Sequence, residues 1–299
     1  MCNLELWQKK ILVQGQSRSP LIRSKLTLWL VCFLMAAKLV FGTCLFAQES
    51  AVLLASSSAL SSDSMQVRRW PVELRAGQFH IHSTVSTQKL EPVLYKLSSL
   101  AQELTEALAI KIDDQPIHIV VLESRESLDA YVKRLLPLAP SRRALYIRHR
   151  GPGLVLTFMN PTWITDARHE CTHALLDAST VRVPQWLDEG LAEYFETDSG
   201  NPLEHATHRA AVRSQLRYGQ VADLAQLERT DSNSTLTTKD YRDAWSVTAF
   251  ALNASQESKI VFQRFLQDLQ NDRAGGFLSH RLQPSSISWR EEFANFFRQ

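Results

Sequence analysis

Residues 163–176 of this 299-residue chain read W-I-T-D-A-R-H-E-C-T-H-A-L-L, and this stretch decides how the fold is interpreted. The pattern H-E-x-x-H places His169 and His173 four residues apart, which on a helix puts both imidazoles on one face, one turn apart. The flanking residues are mostly apolar, so the helix is predicted to be largely buried. Two buried imidazoles and the Glu170 carboxylate need polar partners, and a metal ion shared by the imidazoles supplies one.

A second helix is predicted directly after Pro184, because proline favours the first turn of a helix. Residues 185–195 read Q-W-L-D-E-G-L-A-E-Y-F, and Glu189 and Glu193 lie four apart on one face of this largely apolar segment. A catalytic zinc ion is held by three protein ligands and keeps one position open for water. A carboxylate of the second helix is therefore the expected third ligand, and the alternative is that both glutamates face solvent.

Outward from these helices, the sequence divides into a mixed half and a helical half. Before Pro161, short apolar runs predict a small sheet with an edge hairpin, and leucines spaced by three or four predict helices. The predicted strands are 70–84 (a strand or hairpin), 116–122, 144–150 and 154–160, and the predicted helices of this half are 87–110 and 124–136. Beyond Pro161, helices are predicted at 163–178, 186–196, 204–218, 240–252, 256–270 and 286–298. This order predicts an α+β fold.

The first 47 residues are organised like an export signal. Residues 1–25 carry a net charge of +4, and residues 26–47 are apolar except for Lys38. This order predicts a signal peptide or a helix that stays in the membrane as an anchor, and in both cases the remaining chain is exported. The Ser/Ala-rich residues 48–69 are predicted to form a linker, so the folded domain is expected at 70–299.

Charge and cysteine content exclude two classes of protein. The whole chain has a net charge of +2, but residues 48–299 carry −3, which makes phosphate-mediated binding of nucleic acid a poor interpretation. Cys171 is the one cysteine beyond residue 47, so the body forms no internal disulfide and is not a disulfide-stapled scaffold.

The two motifs together resemble a known family. R-H-E-x-x-H-A-L-L followed by P-x-W-L-x-E-G-L-A-E-Y-F, across about 163–196, looks like the peptidase MA-like gluzincins, zinc metallopeptidases related to thermolysin and the zinc aminopeptidases. Residues 241–245, Y-R-D-A-W, look like the downstream Y-x-x-A-W helix of that family. The Gly-x-Met-Glu-Asn signature of zinc aminopeptidases is absent from the sequence, which speaks against an aminopeptidase activity.

The resemblance implies a thermolysin-like fold, one Zn²⁺ per chain and hydrolysis of a peptide or protein substrate. It implies that His169, His173 and Glu189 are the ligands, and that Glu193 buttresses a ligand histidine. It implies that Glu170 takes the proton of the attacking water and delivers it to the leaving amine. Tyr241, at the start of a predicted helix, is the candidate donor to the developing oxyanion or an aromatic packing residue. The preceding hairpin would supply an edge strand for substrate, placed at Leu154–Phe158.

Two other functions stay open at this point. One is a catalytically inactive, metal-stabilised protein that binds a partner in a peptidase-like cleft, and the other is an interaction domain without metal. The sequence also contains residues whose ordinary explanation is structural: Asp177 near a helix end, His205 and His208 on a polar helix face, His80 and His82 on one strand, and Cys171 beside the ligand pair.

Overall fold

A computed structural model describes most of the chain beyond residue 69. The described residues are 53–54, 70–148, 153–197, 201–230, 234–273, 276–282 and 288–299. All of them lie in one of the two compact units into which the chain divides, residues 47–299. The predicted export segment, 1–47, and all but two residues of the predicted linker, 48–69, lie outside the described residues.

Six strands form one mixed sheet. They are β1 (Leu53–Leu54), β2 (Val72–Ala76), β3 (Phe79–Ser83), β4 (Ile117–Leu122), β5 (Ala144–Arg148) and β6 (Leu154–Phe158), in the spatial order β1-β5-β6-β4-β3-β2. The predicted hairpins are confirmed, since β2 pairs antiparallel with β3, and β5 pairs antiparallel with β6. Gly77 adopts a φ of 61° between β2 and β3, a left-handed conformation that glycine enters without steric cost.

The position of the second hairpin in the sheet differs from the prediction. Leu154–Phe158 was expected at the edge, but β6 lies inside the sheet, between β5 and β4. Because β6 pairs with β4 on one side and with β5 on the other, it has no unpaired side. The outer strand of the hairpin is therefore β5, whose far side pairs over two residues with β1, where Leu53 lies opposite Ile147 and Leu54 opposite Arg148.

The described residues form eleven α-helices. They are α1 (Thr87–Ser98), α2 (Leu100–Leu108), α3 (Arg125–Leu135), α4 (Trp163–Ala178), α5 (Gln185–Phe195), α6 (Ala206–Arg217), α7 (Leu224–Leu227), α8 (Thr238–Asn253), α9 (Gln256–Gln270), α10 (Leu278–Arg281) and α11 (Trp289–Arg298). The α+β assignment is confirmed, with the sheet in the first half and helices after it. One predicted helix, 87–110, is instead two helices that break at Ser99. Ser98 Oγ donates to the Tyr95 carbonyl oxygen at 2.8 Å, and such side-chain bonds compete with the helical ladder.

The sheet is covered on both faces. Ile119 and Val121 of β4 pack into the main core with the later helices, whereas Val120 and Leu122 pack into a second core with Leu128 of α3. A strand buried on both faces has no reason to alternate polar and apolar residues, which explains its continuous apolar run. Among the described residues, no helix has the length and hydropathy needed to cross a membrane.

Candidate metal centre

The central helix of the site, α4, is buried almost all round. Thirteen of its sixteen residues are buried, because the helix lies between the sheet on one side and α5 on the other. Arg168 fastens this helix to its neighbours: its Nε donates to the Phe195 carbonyl oxygen at 3.0 Å, and its guanidinium also bonds the Lys96 carbonyl oxygen and the Glu103 carboxylate. The residue before the H-E-x-x-H histidine thus holds α4 against the end of α5 and against the first helical pair.

Three predicted ligands converge at one point between α4 and α5. Oε2 of Glu189 lies 3.6 Å from Nε2 of His169 and 3.6 Å from Nε2 of His173. A tetrahedral ion that holds nitrogen and oxygen ligands at about 2.1 Å keeps them about 3.4 Å apart, so these separations suit a shared ion. The two imidazole planes cross at 76°, which allows one point to lie in the plane of both rings.

Two of the polar atoms at this point form no hydrogen bond. Nε2 of His173 and Oε2 of Glu189 are buried and form no hydrogen bond. A buried polar atom without a partner costs free energy, on the order of 1–3 kcal/mol. A cation between the three side chains removes that cost, so these buried residues could hold a metal ion.

The far nitrogens of both histidines also face carboxylates. Nδ1 of His169 lies 2.8 Å from Oε2 of Glu196, and Nδ1 of His173 lies 3.1 Å from Oδ1 of Asp188. The contact of His169 is a hydrogen bond, and such a bond holds the ring of a ligand histidine and keeps the proton on its far nitrogen. The contact of His173 is an ion pair without hydrogen-bond geometry. Glu193 was expected to contact the far nitrogen of His169 or His173, whereas the structure brings Glu196 and Asp188 to these nitrogens and turns the Glu193 carboxylate towards α6.

The carboxylates around the site favour positive charge. Burial lowers the pKa of His169, but contacts with Glu189 and Glu196 outweigh it and hold that pKa well above its ordinary value. Burial likewise opposes protonation of His173, yet Asp188 and Glu189 raise its pKa to about 9. Burial raises the pKa of the Glu189 carboxyl group. Protons or a metal cation can supply the positive charge that this arrangement favours.

Glu170 lies on the sheet side of the helix. It is buried, and its Oε2 accepts a hydrogen bond of 2.7 Å from the backbone N–H of Tyr146 in β5. The strand next to Glu170 is therefore β5 and not β6. Asp177 strengthens the same contact, because it accepts a hydrogen bond from the Tyr146 hydroxyl at 2.8 Å and pairs with Arg148 at 2.7 Å. Asp177 thus ties α4 to the strand and has a structural role.

Helix α8 packs against α5, the helix that carries the predicted ligand Glu189. A Cβ atom added at Gly190 would lie 2.8 Å from the Ala244 carbonyl oxygen and 2.9 Å from Oγ1 of Thr248. Glycine beside the predicted ligand Glu189 is therefore what permits this close approach. The predicted oxyanion donor, Tyr241, is buried in the first turn of α8.

The predicted structural role of Cys171 agrees with its surroundings. Its thiol is fully buried, and burial raises its pKa, so a thiolate is disfavoured. His205 and His208 lie at the start of α6 and contact Glu193, with Nε2 to Oε2 distances of 3.2 and 3.0 Å. They do not join the three predicted ligands.

Sequence reasoning missed Asp188, Glu196 and Tyr146. A signal for Glu196 exists, because Glu189, Glu193 and Glu196 follow the helical spacing i, i+4, i+7 that marks one face. No comparable signal exists for Tyr146, since its backbone N–H reaches Glu170 only through the packing of β5 on α4.

Comparisons with known proteins do not assign the chain to a group. No protein-family profile matches the sequence, and no curated protein is similar to it. The assignment of a metal site therefore depends on the residues and their geometry alone.

Proposed function

We propose that this protein is an exported or membrane-anchored zinc-dependent peptidase of the gluzincin type that cleaves peptide bonds of a peptide or protein substrate. The observation that carries the proposal is the convergence of His169, His173 and Glu189 at separations suited to one ion. Glu170 follows His169 in the chain, and its negative charge helps to raise the pKa of His169. Two histidines and one glutamate are a donor set found in catalytic zinc sites, where a fourth position stays open for water.

Zinc, when bound there, lowers the pKa of water towards neutrality and polarises a scissile carbonyl group. His169 and His173 would hold it through Nε2, and Glu189 through Oε2. The hydrogen bond between Glu196 and Nδ1 of His169 supports this assignment, because it leaves Nε2 as the ligand atom of that histidine. In His173, Nδ1 faces Asp188 and Nε2 faces Glu189.

Glu170 takes the proton of the attacking water and returns it to the leaving amine. Its hydrogen bond from the Tyr146 backbone fixes the orientation of the carboxylate before substrate arrives, which lowers the cost of aligning the base. Tyr241 remains the candidate donor for the oxyanion, through its phenolic hydroxyl group. A base at this position also favours an active enzyme over an inactive binding protein, since a binding cleft has no use for it.

The test is a comparison of peptide cleavage by the full-length chain and two glutamate variants. Glu170→Gln keeps the shape of the side chain and removes its basicity, so we expect bound zinc to be retained and cleavage of a peptide library to fall by at least about 100-fold. Glu91→Gln changes an exposed glutamate of α1 and is expected to leave cleavage unchanged. Full activity of Glu170→Gln would overturn the mechanism. Zinc binding without cleavage by the unaltered chain would favour the inactive binding protein.

A further inference from the structure

A second cluster of histidines and carboxylates lies beside the metal centre. Nε2 of His205 and Nε2 of His208 approach the same atom, Oε2 of Glu193, at 3.2 and 3.0 Å. His205 Nε2 also lies 3.2 Å from Oε1 of Glu196. The indole of Trp245 packs against both imidazoles, with ring centroids 5.6 Å apart in each case.

The orientation of the rings argues against a second metal ion at this cluster. The imidazoles of His205 and His208 are stacked, with centroids 4.0 Å apart and planes only 8° from parallel. A ring nitrogen offers its lone pair in the plane of the ring, so two stacked rings cannot both direct a lone pair at one ion. Nδ1 of His205 also accepts from the His208 backbone N–H at 3.3 Å, which leaves the proton on Nε2. His205 Nε2 is therefore a donor to the carboxylates.

The carboxylate of Glu196 joins this cluster to the metal centre. Its Oε2 lies 2.8 Å from Nδ1 of His169, and its Oε1 lies 3.2 Å from Nε2 of His205. Both oxygens are thus engaged, and the side chains are mostly buried, with 15% of Glu196 and 15% of His205 exposed. A carboxylate that is held at both oxygens has one orientation, and that orientation sets the plane of the His169 ring.

We infer that His205 is a positioning residue for the metal centre, acting through Glu196 on the ligand His169. This inference rests on the proposed function, since it needs a metal ion at His169. Glu193 completes the arrangement, since its Oε2 accepts from Nε2 of His208 and lies 3.2 Å from Nε2 of His205. Removal of an outer contact of this kind typically weakens metal binding by about 10- to 100-fold.

Two substitutions separate the positioning contact from the role of His205 in starting α6. Asparagine places an oxygen near the position of Nδ1, so His205→Asn keeps the acceptor for the His208 backbone and loses the donor to Glu196. Glutamine places an amide nitrogen near the position of Nε2, so His205→Gln keeps the donor to Glu196 and loses the cap. If His205 has only a structural role, loss of the cap should have the larger effect. If it is a positioning residue, loss of the donor to Glu196 should have the larger effect.

The experiment is a zinc titration of the full-length chain in competition with a chelator. We expect the zinc dissociation constant to rise about 10- to 100-fold in His205→Asn and to stay within about threefold of the unaltered chain in His205→Gln. Glu196→Gln should weaken binding similarly, and adding His205→Asn to it should cause little further loss. His280→Ala, at an exposed histidine, should have no effect.

The outcomes separate this inference from the proposed function. Tight zinc binding by both the unaltered chain and His205→Asn would overturn the positioning role of His205 and leave the proposed function intact. Weak binding by His205→Gln with normal binding by His205→Asn would also overturn it, since the cap and not the donor would then matter. A chain that binds no zinc in any form would overturn the proposed function itself.

Discussion

Glu170 accepts a 2.7 Å hydrogen bond from the backbone N–H of Tyr146, so the predicted base of α4 is held by the outer strand of the β5–β6 hairpin. The direction of this N–H follows from the sheet, because β5 pairs with β6 on one side and turns alternate amides towards the other. The carboxylate is thus oriented by a main-chain group that no substitution of Tyr146 other than by proline removes.

Glu170→Asp tests whether catalysis depends on the position of the Glu170 carboxylate as well as on its charge. Glu170→Asp keeps the charge and withdraws the carboxylate by one methylene, so it cannot both accept from Tyr146 and reach the reacting water. We expect kcat to fall by about 100-fold with bound zinc unchanged, as misplacement by about 1 Å does in other enzymes. Steady-state kinetics with a cleaved peptide measure this, and Glu91→Asp is the matched control. A kcat close to that of the unaltered chain would show that the Tyr146 contact does not matter.

The direction in which Gly190→Ala changes the free energy of unfolding tests the close packing of α5 on α8. In a helix without close neighbours, Gly→Ala stabilises the folded state by about 0.5–1 kcal/mol. Here the new methyl group meets the Ala244 carbonyl oxygen at 2.8 Å, and backbone cannot move aside as a flexible side chain does. We therefore expect Gly190→Ala to lower the free energy of unfolding by about 1–3 kcal/mol and to weaken zinc binding through the adjacent Glu189. Increased stability in urea unfolding would contradict the close packing of α5 on α8.

Arg168 should be important for stability. Arg168→Met keeps the aliphatic stem but leaves the buried carbonyl oxygen of Phe195 without its donor. We expect the free energy of unfolding to fall by about 2–3 kcal/mol, mainly from that unsatisfied group, because the pair with Glu103 is partly exposed and contributes less. Urea unfolding measures the change. Arg273→Met, at a largely exposed arginine, should alter it by less than about 0.5 kcal/mol, and an equal loss in both variants would refute the argument.

The sheet histidines predict a loss of stability in acid. Nε2 of His82 lies 2.8 Å from Nδ1 of His118, and burial lowers the pKa of both below 6.5. Glu73 partly opposes this shift at His82, whereas His80 adds to it at both. The unfolded chain therefore takes up these protons at a higher pH than the folded protein, and the free energy of unfolding falls as pH drops below about 6.5.

His118→Gln tests this origin of the acid sensitivity. Without the second imidazole, the decline in unfolding free energy between about pH 6.5 and pH 5 should be shallower than in the unaltered chain. Urea unfolding at several pH values provides the measurement. His280→Gln replaces an exposed histidine and should leave the slope as it was. An unchanged slope in His118→Gln would mean that the acid sensitivity arises elsewhere.

The sequence is most informative where helical spacing and chemistry coincide. His169 and His173 converge because a helix puts positions four apart on one face, and Glu189 meets them from a second helix whose apolar residues require burial against the first. The same logic predicts the order of strands and helices, since each element buries a stripe or a face of the expected period.

Two features of the structure could not be predicted from the spacing of residues. The break at Ser99 accompanies a bond from the Ser98 hydroxyl to the Tyr95 carbonyl oxygen, within a leucine pattern that continues across it. His169 contacts Glu196 and not Glu193, because α6 packs so that its His208 bonds the Glu193 carboxylate. Three-dimensional packing decides the second feature, and local periodicity is the same for either outcome.

The most direct test is the zinc content of the purified full-length chain, measured by elemental analysis beside His173→Ala. We predict about one zinc ion per chain, reduced to a small fraction in the variant because one of three protein ligands is lost. A folded chain that contains no metal, and takes up none when zinc is added, would contradict the account and leave the H-E-x-x-H pattern without a metal to bind.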